Sequence, residues 1–168
     1  PETHYDMVRA GIGMYGLSPD PSVKSARQLG VEAAMTLSAP LTSVKVIEEG
    51  TPASYGGTWQ APTRRWIGLV PLGYGDGILR ASSNGAPVVV ETERGLFPTQ
   101  IVGRVCMDQF MIDLGPAEGE AGTPTSASGR PPAHVGDRAF LFGDPEKGCP
   151  SADKWALHAG TINYEIVT

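Results

Sequence analysis

Twenty-two glycines and 15 prolines punctuate a chain of 168 residues, about a fifth of its length. Glycine costs a helix backbone entropy, and proline removes a backbone donor and clashes with the preceding turn. A helical bundle is therefore excluded. Low complexity is excluded too, because 40% of the chain is apolar and can supply a core. A chain of this length makes one domain, or one and a piece of another, and needs no metal or disulfide framework to be stable.

Between the breakers, strand signals dominate. Partial alternation and β-branched residues mark a strand within Met35–Glu48, where Leu41, Val44, Val46 and Ile47 fall. Shorter candidates are Trp66–Pro71, Pro87–Glu91, Ile101–Val105, Phe110–Leu114 and Asp137–Phe142. Each is bounded by Gly, Pro, Asn or Asp, as short strands of a sandwich or barrel-like domain are. Asp6–Leu17 is an apolar run broken by glycines, and it reads as a buried strand that opens into a glycine loop. Ser18–Ser25 is a linker by composition. Only Ser151–Ala159 reads as a helix, with Ser151 as cap, Asp153 in the first turn and Gly160 as stop. The expected fold class is mainly β, barrel-like, with short strands and one short helix.

Pro116–His134 contains no large apolar residue and cannot offset its ordering entropy by burial. It reads as an exposed, mobile loop between two strands, a tolerated insertion in preference to a functional lid.

A net charge of −5 excludes a strongly basic nucleic-acid binder. Cys106 and Cys149 make neither a disulfide scaffold nor a zinc site, and they read as reduced thiols of a cytoplasmic protein. No apolar run is long enough to span a bilayer, and no N-terminal targeting signal is visible. The chain begins Pro1-Glu2-Thr3-His4 without a methionine, which suggests a processed chain or a piece of a larger one.

Three tyrosines stand beside glycines: Tyr15, Tyr55 in Ala-Ser-Tyr-Gly-Gly, and Tyr74 in Gly-Tyr-Gly-Asp-Gly. Such rings can project from sharp turns, but they can equally cover strand ends. Arg9-Ala10-Gly11-Ile12-Gly13 could cradle a phosphate through backbone N–H groups, although it lacks the Walker lysine. Cys106 has no histidine partner in sequence, which favours an inert thiol over a nucleophile. His4, His134 and His158 show no ligand spacing, so no metal site is expected. From the residues alone, the reading stops at a mostly-β domain with tyrosine- and arginine-rich glycine turns.

Taken in order, five stretches resemble the alanine racemases. They are Val8–Leu17, Ser54–Trp59, Ile67–Gly77, Val102–Gln109 and Thr161–Glu165. The resemblance implies the end of a (β/α)8 barrel that binds pyridoxal 5'-phosphate (PLP), with its linker, over residues 1–25. It implies a C-terminal β domain over residues 26–168, with the 116–134 insertion inside it.

The implied activity is the interconversion of L- and D-alanine by two-base proton transfer on a PLP aldimine, supplying D-alanine for peptidoglycan. Tyr55 matches one of the two bases. Arg9, Gly11, Ile12 and Tyr164 match PLP contacts, with Arg9 at the pyridine nitrogen and the other three at the phosphate. Met107 matches the residue whose backbone N–H holds the substrate carboxylate. Tyr74, Arg80, Arg104, Asp108 and Ile162 match the walls of the access channel.

The family works as a homodimer, in which Tyr55 and Met107 would reach into the partner's site. Its PLP-bearing lysine lies on an early barrel strand. Lys24, Lys45, Lys147 and Lys154 stand in no matching context, so the isolated chain is expected to be inactive. A broad-specificity amino-acid racemase and a non-catalytic interaction module are the competing readings.

Overall fold

A computed structural model describes residues 5–117 and 130–168. Seven antiparallel strands form a half-barrel sheet: β1 (Leu37–Pro40), β2 (Ser43–Ile47), β3 (Arg65–Val70), β4 (Pro87–Thr92), β5 (Gly95–Val102), β6 (Phe110–Pro116) and β7 (Arg138–Phe142). Their spatial order is β1-β7-β4-β5-β6-β3-β2. Three short helices accompany them, α1 (Ala26–Leu29), α2 (Ala152–Ala159) and α3 (Asn163–Val167), where one was expected.

Strand β5 gives the sheet its curvature. Its first part, Gly95 to Gln100, pairs with β4, while Ile101 and Val102 pair with β6. One strand thus belongs to both halves of the sheet. The expected strand Ile101–Val105 lies at the end of this longer one, with Gly103 to Val105 already in the following loop. Gly95 and Pro98 hid its beginning. Proline is compatible with a strand where one edge is unpaired, as it is beside Pro98 among the described residues.

The expected strand within Met35–Glu48 is two strands, broken at Leu41 and Thr42. Leu41 is buried there, and β1 and β2 lie at opposite ends of the sheet order. Other expected strands sit within a residue or two of their observed bounds, and the helix begins at its Ser151 cap and stops at Gly160 as read.

Alternation places Phe110, Ile112 and Leu114 of β6 inward, against Val88 and Val90 of β4, Ile101, Leu141 and Trp155. Helix α2 closes this core, and its Trp155 donates its indole N–H to the Pro87 carbonyl at 2.8 Å. Indole burial of this kind removes a large apolar area from water while keeping its one donor satisfied.

The Asp6–Leu17 segment corrects an expectation. No strand forms there: the chain runs as turn and loop into a 3₁₀ turn at Ile12–Tyr15. Met7, Val8 and Met14 are exposed, whereas Leu17 joins the core and Ile12 and Tyr15 pack against it. A strand needs a paired edge, and no strand among the described residues pairs with this segment. The presumed linker is also anchored, since the buried Ser18 donates its hydroxyl to the Lys24 carbonyl at 2.6 Å.

Most of the Pro116–His134 insertion, residues 118–129, lies outside the described residues. Its flanks are fixed: Ala117 donates its N–H to the Arg64 carbonyl at 2.9 Å, and Ala133 is fully buried.

Candidate functional site

The matched residues fall into two clusters held by different loops. The first is built where the Ala53–Gly57 turn meets the Gly103–Asp108 loop. Ser54 carries φ +61° and ψ −170°, a glycine-like backbone that costs a side-chain-bearing residue about 1–3 kcal/mol. Its hydroxyl donates to the Arg104 carbonyl at 2.7 Å and lies 3.1 Å from the Cys106 sulfur. Gly103, at φ +72°, approaches so closely that a Cβ would stand 2.5 Å from the Ala53 carbonyl oxygen. Only glycine fits both the angle and the gap. From this junction Tyr55 projects into solvent, 74% exposed, and the Arg104 guanidinium lies 3.6 Å from where a Gly56 Cβ would be.

The Tyr74 turn docks on the same loop. Tyr74 donates its N–H to the Cys106 carbonyl at 2.9 Å, and Gly75 donates to the Met107 carbonyl at 2.8 Å. A Cβ on Gly73 would stand 2.1 Å from the Met107 carbonyl oxygen, so the approach requires glycine. Asp76 closes the turn by accepting the Gly73 N–H at 2.9 Å. A Cβ on Gly75 would stand 3.7 Å from an Asp108 carboxylate oxygen. Arg80 joins through Ser83, whose hydroxyl donates to the Arg80 carbonyl and accepts the Val105 N–H at 3.0 Å. Tyr55, Tyr74, Arg80, Arg104, Met107 and Asp108 therefore share one loop system, in which the Met107 N–H has no protein acceptor among the described residues.

The second cluster pairs the two ends of the described chain. The Tyr15 and Tyr164 rings meet edge-on, with centroids 6.0 Å apart. Ile162 precedes Tyr164 as the cap of α3, and Gly11 precedes Ile12 as the cap of the 3₁₀ turn. The space beside Gly11 is open, with nothing within 4 Å of a Cβ built there. Arg9 stands exposed just before it. Backbone donors, a phenol and a guanidinium make a donor set that suits a phosphate-bearing anionic cofactor such as PLP.

A cavity of about 220 Å³ lies behind the Tyr74 turn, between β1 and α3, lined by Leu37, Ile78, Phe142 and Trp155. Neither Tyr55 nor Met107 reaches it. No group of three or more His, Cys, Asp or Glu side chains is placed to hold a metal ion among the described residues. No described helix is long and apolar enough to cross a membrane.

Sequence reasoning missed Ser54, Asn163 and Asp76, which position the matched residues without being among them. All three lie inside matched stretches. Ser54 and Asn163 act through bonds to distant carbonyls, which leave no trace in local spacing. Asp76 instead accepts the N–H of Gly73, three residues before it.

The class follows from the architecture: a curved antiparallel β domain that presents tyrosines and backbone donors from rigid glycine turns. The chain belongs to the family described as alanine racemase, C-terminal domain, whose model matches residues 34–168. It is 43% identical to the alanine racemase of Streptomyces coelicolor over all of this chain and 38% of that protein. It is 44% identical to the alanine racemase of Thermobifida fusca, over all of this chain and 39% of that protein. The solved Streptomyces coelicolor alanine racemase superposes with a TM-score of 0.83 at 42% identity, covering 99% of this chain and 39% of that one. The Bacillus anthracis alanine racemase with bound L-Ala-P gives 0.73 at 34% identity, covering 96% of this chain and 37% of that one. The chain thus spans about two-fifths of the length of these relatives.

Proposed function

We propose that this chain is the C-terminal part of a PLP-dependent alanine racemase that interconverts L- and D-alanine, supplying D-alanine for peptidoglycan in the cytoplasm. The observation that carries the reading is the joining of the Tyr55 turn, the Tyr74 turn and the Met107 loop into one rigid unit.

PLP, when bound, supplies the electron delocalisation that makes an amino acid's Cα proton removable. The phenol of Tyr55 takes or returns that proton on one face of Cα, and a lysine from the N-terminal part serves the other. Both faces are needed because inversion requires a proton to leave one side and return on the other. The Met107 N–H holds the substrate carboxylate and fixes which bond faces the phenol.

Gly11 and Ile12 N–H groups and the Tyr164 hydroxyl hold the cofactor's phosphate. Arg9 would face its pyridine nitrogen, and a guanidinium that stays charged could not readily protonate that nitrogen. Tyr74, Arg80, Arg104, Asp108 and Ile162 line the channel that admits alanine and hinders bulkier side chains. In a homodimer, Arg9, Gly11, Ile12 and Tyr164 serve one site while Tyr55 and Met107 reach the partner's. The chain alone, without the lysine, is inactive.

Tyr55→Phe in the full-length racemase tests this reading. Loss of a positioned acid-base group lowers turnover by about a hundredfold or more. The enantiomers have equal free energy, so kcat/KM falls equally in both directions. The asymmetry appears in the α-deuterium isotope effect, which rises for the enantiomer that Tyr55 deprotonates. Near-normal turnover would overturn the assignment, and equal turnover of alanine and larger amino acids would favour a broad-specificity racemase.

A further inference from the structure

Ser54 is a side-chain-bearing residue where the backbone asks for glycine, with φ +61° and ψ −170°. It stands between buried Ala53 and exposed Tyr55. Its hydroxyl is bonded to the Arg104 carbonyl at 2.7 Å, three residues before Met107. Glycine would relieve the backbone and lose that bond, so the hydroxyl accounts for the strained residue. Backbone contact between Ala53 and Gly103 already brings the two loops together. The Ser54 bond adds direction: it fixes the rotation of the turn from which the next residue, Tyr55, projects.

We propose that Ser54 is a positioning residue, whose bond to the Arg104 carbonyl sets the phenol of Tyr55 relative to the Met107 N–H. This rests on the roles proposed for Tyr55 and Met107. Strain held in place by a specific bond is a device for pre-organisation, because the turn then has one orientation instead of several. The Cys106 sulfur, 3.1 Å from the same hydroxyl, reports on the junction independently of turnover.

The test compares Ser54→Gly and Ser54→Ala in the full-length racemase. The glycine variant removes the hydroxyl and the strain together. It should melt at or above the wild-type temperature, yet lose about tenfold in kcat, the scale of one lost hydrogen bond in the transition state. KM should change less than twofold. The α-deuterium isotope effect should rise for the enantiomer deprotonated by Tyr55. The alanine variant keeps the strain without the bond and should lose both turnover and melting temperature.

Without PLP, iodoacetamide should alkylate Cys106 several-fold faster in either variant, read on the peptide that carries Cys106 by mass spectrometry. Wild-type kcat, isotope effect and thiol reactivity in Ser54→Gly would overturn the proposal. If Tyr55→Phe is crippled while Ser54→Gly is normal, only the positioning role fails. If Tyr55→Phe is itself normal, the reading of Tyr55 fails and this proposal fails with it.

Discussion

Asn163 donates its side-chain amide to the Ser18 carbonyl at 2.9 Å and to an Asp153 carboxylate oxygen at 2.6 Å. One buried amide thus ties α3 to α2 and to the segment that carries Arg9, Gly11 and Ile12. Tyr164 is the next residue, and its ring rests against Tyr15. The second cluster of matched residues depends on this knot, because helix α3 has only five residues and no side-chain cap of its own.

Asn163→Ala should therefore cost about 1–3 kcal/mol, the penalty for leaving buried polar groups without a partner. Asn163→Asp should be worse, since it sets a second carboxylate beside Asp153 and removes the donor to Ser18. Thermal melts of the isolated domain check the order, with wild type above alanine and alanine above aspartate. An unchanged melting temperature for both variants would show that the knot carries no weight. In the full-length racemase, weaker PLP affinity should accompany the loss.

Gly16 makes a sharper demand. A Cβ at this position would stand 1.6 Å from the Glu32 carbonyl oxygen, and φ is +74°. Two independent reasons, a left-handed backbone and a backbone collision, forbid a side chain. Gly16→Ala should destabilise by about 3 kcal/mol or more, because no flexible side-chain end can give way. Gly13→Ala is the matched control: its backbone is not left-handed and its Cβ meets nothing within 4 Å, so the domain should stay near wild-type stability. Urea midpoints of the two variants measure the contrast, and equal midpoints would refute the close approach.

The sheet was legible in the sequence where its period is local. Phe110, Ile112 and Leu114 alternate on β6, and the run Val88–Val90 marks a strand buried on both faces. Ser151 and Gly160 bounded α2 because caps are local chemistry. Strand β5 reads short in the sequence, since Pro98 is a breaker by composition, and the edge left unpaired among the described residues is what permits a strand there. Asp6–Leu17 reads as a strand because its apolar content says burial, while burial of this segment needs partners that the described residues do not supply. The matched site residues came from motif resemblance. What holds them, Ser54 on Arg104 and Asn163 on Ser18, spans 50 and 145 residues and has no periodic signature.

Arg65 and Asp113 form a bidentate pair across β3 and β6, at 2.8 and 2.7 Å, with both side chains less than one-fifth exposed. The same carboxylate accepts the Gly115 N–H at 2.9 Å, and the Asp113 carbonyl accepts the Thr99 hydroxyl. The pair sits at a register shift between Arg65 and Ile67, where ladder bonds are interrupted. Asp113→Ala should cost about 3 kcal/mol, because it strands a largely buried guanidinium. The double variant with Arg65→Met should recover part of that loss, since no unpaired charge remains. A double-mutant cycle on urea midpoints measures the coupling, and zero coupling would sink the argument.

Burial pushes the Cys149 thiol up, Asp144 adds to the rise, and Lys147 offsets it only in part. At any given pH a raised thiol holds less thiolate, and thiolate is the nucleophile. Iodoacetamide should therefore modify Cys149 more slowly than an unperturbed thiol at pH 8, with the rate climbing only above the ordinary value of 9.0. Asp144→Asn removes the second cause and should move that climb to lower pH. It retains a side-chain oxygen for the Glu146 N–H that Asp144 now accepts at 3.0 Å. The sign for stability follows from linkage: the folded state favours the protonated thiol, so its contribution is whole below the unfolded pKa and is lost as pH rises through the folded one. Cys149→Ser should accordingly flatten the alkaline limb of the stability profile. A profile unchanged by Cys149→Ser, together with an ordinary alkylation midpoint, would show that burial does not hold this thiol neutral.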